Sequence, residues 1–585
     1  MEQQKIENLL LTAFEATQTQ REKSPELEVS YEPSTKRWEV VIRYVQDIRR
    51  VISEYTEVEA EYLIGNYGIL RGSKEDLLAI ARRDEVLYME AAKRLFFAWE
   101  KGEIEGQQIL QGVSGLDSIC LTRDFNGEEN INGKGVYMAY LDSGIDYRHP
   151  EFIDWEGKTR IAFLWDQTKA EGVYSREEIQ RALEAAPEEG YEIVGQRDLS
   201  GHGTHVAAIG SGNTGVAPGS ELLVVKLGTP TGGGAKTTEL MRGVNACVNY
   251  AVERNRPLAL NISYGTNYGA HNGYGILEQY LSDAVGYGRN TFVVGAGNEG
   301  VGAGHFQVSG EEIRERRDGQ GGDAYEIELA VGDYQQSFSL QIWKSYGTNL
   351  RFYLLPAGGD RPIEILPEMG AVTYESEGME ALIFYGEPSP FSPYQEIYMD
   401  FIPKDTYLPA GIWKIFIEDT GREEEESYGT VDLWLPVSET LALQTGFLRP
   451  SPEKTLTIPA TASGVLSVGA YDQRYNQVAP FSGRGYTWAT NQVKPDLVAP
   501  GVEIVSASPQ GGYTARSGSS MAAPFVTGAT ALFMEWGIVR EADPYMYGEK
   551  MKAYLIHGAN RLPGVEIYPN SLTGWGTLCI GRSIP

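Results

Sequence analysis

The sequence predicts an α/β fold, a parallel β-sheet with helices on both faces, preceded by a small α+β unit and interrupted by an inserted all-β segment. Three observations predict it. Between about 130 and 300, short apolar runs alternate with segments of helical periodicity. From about 304 to 456 the apolar period drops to two, with Gly- and Pro-rich turns between the runs. After about 457 the first pattern returns.

Residues 1–100 are charged and locally patterned. Trp38–Val45 is rich in aromatic and β-branched residues and reads as a strand. Ser73-Lys-Glu-Asp76 opens a short helix in capping-box fashion, and Val86–Met89 reads as another strand. The polar stretch Glu100–Gln108 reads as a linker. Residues 101–303 form the first part of the sheet domain. Val136–Leu141, Leu222–Val225, Leu258–Leu260 with Ile262, and Phe292–Val294 are short and wholly apolar, as parallel strands covered on both faces require. Leu240, Val244, Cys247, Val248 and Ala251 recur at helical spacing between them, as do Ile276, Leu277, Tyr280, Leu281 and Val285. Residues 304–456 alternate at period two in Tyr325–Ala330, Phe338–Trp343, Leu350–Leu355 and Trp413–Glu418, the pattern of a β-sandwich or jelly roll. Residues 457–585 complete the α/β domain, with a strand at Val465–Val468 and helices near 520–538 and 544–557.

Composition narrows the function. The 585 residues carry 50 Lys and Arg against 80 Asp and Glu, a net charge of −30, which excludes charge-driven binding of nucleic acid. Hydrophobic residues are 42% and charged residues 22%, a globular composition. The three cysteines, Cys120, Cys247 and Cys579, lie far apart and are expected as buried thiols without a disulfide framework. The N-terminus lacks the basic and apolar regions of a secretory signal, so synthesis in the cytoplasm is expected. No run of eighteen apolar residues predicts a membrane span.

Three short segments carry the chemistry. Asp142 follows a buried strand, where α/β sheets place their ligands. His202 and His205 flank Gly-Thr at the start of an apolar helix, without the spacing of a zinc site. Ser520 opens another apolar helix. Asp142 and Ser520 alone each read as a cap or turn residue. Together they supply a nucleophile, Ser520, a general base, His202, and an orienting carboxylate, Asp142. The order Asp, His, Ser excludes an α/β-hydrolase, whose order is Ser, acid, His. A phosphate loop over Gly228–Thr237 is excluded because Ala235 precedes Lys236.

Asp142-Ser-Gly, His202-Gly-Thr-His, Ala296-Gly-Asn298-Glu-Gly and Gly518-Ser-Ser520-Met-Ala-Ala-Pro closely resemble the signature segments of the subtilisin family of serine proteases. The resemblance implies a serine endopeptidase on a subtilisin-like parallel sheet, with no cofactor. It places Asn298 as an oxyanion-hole donor beside the Ser520 N–H, and His205 as a packed neighbour of His202. Gly232, Gly233, Gly234, Ser263, Tyr264 and Gly265 match the backbone edges between which a peptide substrate lies. The segment from His205 to Val216 is too short for the calcium loop of many subtilisins, so no metal is expected there. Residues 1–100 resemble a subtilase prodomain, an intramolecular inhibitor and chaperone, with cleavage expected near 93–103. Prodomain, intact motifs and β insert together look most like the clostridial Csp-type germination proteases, whose substrate is a spore cortex-lytic pro-enzyme. A broad degradative subtilase and a non-catalytic sensor that keeps its prodomain in the cleft are the alternatives.

Overall fold

The computed structural model describes residues 3–97, 112–229, 234–318, 324–367, 370–421 and 429–585. The expected linker at 100–108 lies outside them. The chain forms two compact units, one of Met1–Arg94, Thr266–Ala270 and Gly302–Pro452, the other of Leu95–Gly265, His271–Val301 and Glu453–Pro585.

The second unit holds a nine-stranded sheet. Its strands run in the order Gln477–Val478, Leu466–Asp472, Asn290–Gly295, Leu258–Ile262, Tyr137–Asp142, Glu221–Lys226, Ile161–Asp166 and Val173–Ser175, with Leu497–Pro500 also on Leu466–Asp472. The central pairs are parallel, and Tyr137–Asp142 lies between Leu258–Ile262 and Glu221–Lys226. The two-residue edge Gln477–Val478 and the edge Val173–Ser175 are antiparallel, which the wholly parallel reading did not foresee.

Alternation along Tyr137–Asp142 explains the two helical layers. Met138 and Tyr140 share a core with Val206 and Ile209 of helix His202–Ser211 and with Phe525 and Ala529 of helix Ser519–Met534. Leu141 faces the opposite way, against Gly243 of helix Thr237–Glu253. Segment Ser519–Val539 is long and apolar enough to span a bilayer, but it is a buried core element here. The last long helix starts at Gly548 rather than near 544, because residues 544–547 turn before it.

One sequence expectation is corrected. Cys120 and Cys579 form a disulfide, and only Cys247 of the three is a buried free thiol. The pairing depends on the chain end returning to Cys120, where Gly581 N–H donates to the Cys120 carbonyl at 3.1 Å. Sequence spacing carries no trace of that return.

In the first unit, helices Asn8–Glu15 and Lys74–Ala81 accompany an antiparallel sheet in which Arg37–Tyr44 pairs with Tyr31–Glu32, Tyr67–Gly72 and Val86–Ala91. Ser73 caps the second helix by accepting from Asp76 N–H. The β-rich region forms a six-stranded and a five-stranded sheet that share one core. Along Tyr394–Pro403, Ile397, Met399 and Phe401 point into that core. Tyr398 and Ile402 point outward, into a second core with Leu9, Leu10, Trp38 and Val86 from the N-terminal region. The six-stranded sheet is thereby covered on both faces.

Candidate active site

The sequence-identified residues gather at the C-terminal ends of the parallel strands. Asp142 is the last residue of its strand, and helix His202–Ser211 begins with His202. The imidazole Nδ1 lies 2.7 Å from Asp142 Oδ1, and both side chains are buried. A carboxylate accepts only, so Nδ1 carries the hydrogen of this bond.

Two residues that sequence reading missed hold this pair. Asp198 Oδ1 accepts from Gly201 N–H at 2.9 Å and from Ser143 Oγ at 2.7 Å. Its Oδ2 accepts from Thr204 N–H at 2.9 Å and Thr204 Oγ1 at 2.7 Å, which fixes the first turn of the helix. Ser143 Oγ then accepts from Gly203 N–H at 2.9 Å, tying that turn to the end of the Asp142 strand. Gly203 permits this approach, since a Cβ there would lie 2.1 Å from the Gly144 carbonyl oxygen. The signal was an Asp placed as a helix cap three residues before Gly201.

His205, next on the same helix, has another role. Its Nε2 donates to the carbonyls of Ile504 and Thr514 at 3.0 and 3.1 Å. Burial first, then the Arg516 charge and the neighbouring His202, lowers its pKa to about 3. It stays neutral and serves packing.

Ser520 is the second residue of helix Ser519–Met534, so its N–H belongs to the first turn, where no intrahelical acceptor exists. Its hydroxyl donates to the Ser263 carbonyl at 3.3 Å. Ser263 in turn receives a bond from Asn261 Nδ2 at 2.9 Å, and Asn261 Oδ1 accepts from Thr527 of the Ser520 helix at 3.0 Å. Asn298 Oδ1 accepts from Ser519 N–H at 3.0 Å, which turns the amide's NH2 end the other way. That Nδ2 is buried and has no hydrogen-bond partner among the described residues. A buried donor without an acceptor is costly and suits a site where negative charge appears transiently.

The edge expected from the sequence to take a peptide is occupied by the chain itself. Phe96–Phe97 pairs antiparallel with Tyr264–Gly265, Phe97 opposite Tyr264 and Phe96 opposite Gly265. On the other side, Leu95 N–H donates to the Ala235 carbonyl at 2.9 Å. Gly265 is required, because a Cβ there would lie 2.4 Å from Thr457 Oγ1. The Phe97 ring centroid is 4.5 Å from that of Tyr264 and 4.4 Å from the His202 ring. Gly234 adjoins Ala235 with open space around its Cα, whereas Gly232 and Gly233 lie outside the described residues.

Residues 133–385 and 448–576 match the subtilase family. The chain belongs to the subtilase family of serine endopeptidases. Its N-terminal residues 4–93 match the Csp protease B prodomain. The subtilase is similar to the structure of the Clostridium perfringens CspB protease, with 35% identity and a TM-score of 0.72, over 80% of this chain and 96% of that one. It is 26% identical over 474 residues to the minor extracellular protease Vpr of Bacillus subtilis, covering 77% of this chain and 52% of Vpr. A 120-residue stretch is 38% identical to the human membrane-bound transcription factor site-1 protease, 20% of this chain and 11% of that protein. The subtilase thus spans about half the length of Vpr and about a tenth of the site-1 protease.

Among the described residues no group of three or more His, Cys, Asp or Glu side chains is arranged to hold a metal ion. After helix His202–Ser211 the turn is held by protein groups. Buried Arg160 donates to the carbonyls of Glu151 and Ser211 at 2.6 Å each and of Ser220 at 3.1 Å. The Glu151 carboxylate accepts from Thr214 N–H and Oγ1 at 2.8 and 2.6 Å.

Proposed function

We propose that this subtilase is an active serine endopeptidase that first cuts its own N-terminal region free and then cleaves a protein substrate. The observation that supports it is the strand Phe96–Phe97 lying on Tyr264–Gly265 with the Phe97 ring against His202. It lies as a peptide reaching the nucleophile would lie.

In this reading Ser520 Oγ turns from the Ser263 carbonyl and attacks the scissile carbonyl, giving its proton to His202 Nε2. Asp142 keeps the Nδ1–H in place and stabilises the imidazolium. The oxyanion receives hydrogen bonds from Asn298 Nδ2 and the Ser520 N–H, at the positive end of the helix. Collapse expels the amine, which takes the proton from His202. Water, deprotonated by the same imidazole, then releases the acyl group.

In this reading the bond cut is the one after residue 98, within the 93–103 window, and the pairing of Phe97 with Tyr264 supports that choice. After the cut, the strand remaining in the cleft acts as a product-like inhibitor. The matches to the Csp prodomain and CspB protease favour a spore cortex-lytic pro-enzyme as the later substrate, with spore association and cytoplasmic synthesis following from that role.

Mass spectrometry tests the reading. The wild-type chain is expected to show a new N-terminus at Trp99, and Ser520→Ala to stay whole. An uncut wild type, or equal cutting of Ser520→Ala, overturns it. Whether the products derive from a cortex-lytic pro-enzyme is tested by incubating that purified protein with wild type and with Ser520→Ala.

A further inference from the structure

The segment in the cleft also reports which side chains the cleft accepts. Ser263 precedes Tyr264, and its carbonyl receives the Ser520 hydroxyl. In the antiparallel register, a substrate residue following the one opposite Tyr264 comes opposite Ser263, beside the nucleophile. The residue opposite Tyr264 is therefore second before the cleaved bond, and this chain places Phe97 there. Two residues earlier Leu95 occupies the fourth position, buried and bonded through its N–H to Ala235.

We propose that Tyr264 makes the cleft selective for an aromatic side chain at the second position before the cleaved bond. This rests on the endopeptidase reading above. Tyr264 and Phe97 are a directly opposed cross-strand pair, their rings 4.5 Å apart and inclined by 29°, close to stacked. The same Phe97 ring lies 4.4 Å from the imidazole at a 41° tilt. With Phe97 in place Tyr264 is 5% exposed and His202 0%, so the aromatic side chain completes the cover of both rings. A small side chain at that position would leave both ring faces without a partner and the base open to water. The substrate class is a protein segment with an aromatic residue immediately before the residue whose carbonyl is attacked.

The test uses the full chain and the blocked peptides acetyl-Leu-Phe-Xaa-Ala-anilide, with Xaa as Phe, Trp, Leu or Ala. The wild type is expected to cleave the Phe and Trp peptides roughly tenfold better in kcat/KM than the Ala peptide, a ratio that Tyr264→Ala brings near one. Within the chain, Phe97→Ala is expected to slow self-cleavage by a similar factor and Phe97→Trp to restore it, followed by intact mass. A wild-type ratio near one, or a ratio untouched by Tyr264→Ala, overturns the proposal. Should Tyr264→Ala fail to fold, the Phe97→Ala and Phe97→Trp pair decides, equal rates for all three chains overturning it. Self-cleavage without peptide selectivity sinks this inference alone. Loss of both self-cleavage and peptide hydrolysis in the wild type sinks the endopeptidase reading with it.

Discussion

The two units supply their buried carboxylates differently. In the sheet unit, Asp198, Glu535, Glu151 and Asp496 each have donors on both oxygens, although Oδ2 of Asp142 and of Asp166 has no partner among the described residues. Asp198 has five donors, from Ser143, Ser200, Gly201 and Thr204. Glu535 accepts three successive backbone N–H groups, Asn132 to Lys134, and Arg540. Glu151 is bonded by Thr214 and Tyr513. Burial works against the charge of Asp496, but Lys494 and Lys552 outweigh it and hold its pKa below the usual value. Where the N-terminal helices meet the six-stranded sheet, the acids are less well supplied. Asp400 takes two hydroxyls on Oδ2, while its buried Oδ1 has no partner among the described residues. Burial pushes Asp400 and Glu26 up to about 7. Glu396 goes up to about 8, through burial first and the neighbouring Glu7 second, against the opposing Asn8 hydrogen bond and Lys93 charge. The difference separates carboxylates held by donors on both oxygens from a contact whose stability depends on protons.

The largest effect expected is in the sheet unit. Asp142→Asn removes the acceptor that sets the imidazole tautomer, and self-cleavage should fall about 10⁴-fold in an intact-mass time course. Asn298→Ala is next. Removing such a donor in subtilisin costs about 10²–10³ in kcat, so peptide hydrolysis should fall by that factor with KM little changed. Asp198→Ala leaves Gly201 and Thr204 donors unpaired at the helix start. Its cost should be about 3 kcal/mol of stability, read by denaturant unfolding, together with slower self-cleavage.

The smallest effect has the opposite sign and bears on the other unit. An acid whose pKa is raised by folding holds its proton in the folded chain where the unfolded chain has lost it. Its contribution is complete below the unfolded value of 4.5 and is lost as pH rises through about 8 for Glu396. Stability of the first unit should therefore decline from pH 5 to pH 8.5. Glu396→Gln, a neutral mimic, should leave it unchanged at pH 5 and raise it by about 2 kcal/mol at pH 8.5, discounted for relaxation of the site. Calorimetric melts at both pH values measure this. An identical pH dependence in wild type and variant would erase the contrast between the units.

Much of the sheet unit was legible because its signals are local. Strand-length apolar runs gave the central strands, and the Asp142, His202 and Ser520 segments each carry their own neighbours. Tyr264 and Gly265 were legible as an edge, but not the strand that fills it, since Leu95–Phe97 has no distinguishing composition. Asp198 was hidden at the end of a charged stretch, where nothing marks one acid as buried. Arg160 was hidden because binding three carbonyls is a property of backbone ends that meet only in the fold. The two-sided burial of Tyr394–Pro403 was masked by Gln395, Glu396 and Asp400, which interrupt its apolar residues. Reading it required knowing that the N-terminal region supplies the outer cover.

The bond between Cys120 and Cys579 spans 459 positions. Once the chain is cut ahead of Cys120, nearly everything that remains is a covalent ring with short tails. A stray nick in any loop of that ring opens it into a string whose pieces stay tethered. An oxidised molecule can thus survive accidental cuts by its own kind that would release fragments from a reduced one. The comparison is visible as a single band without reductant and several with it.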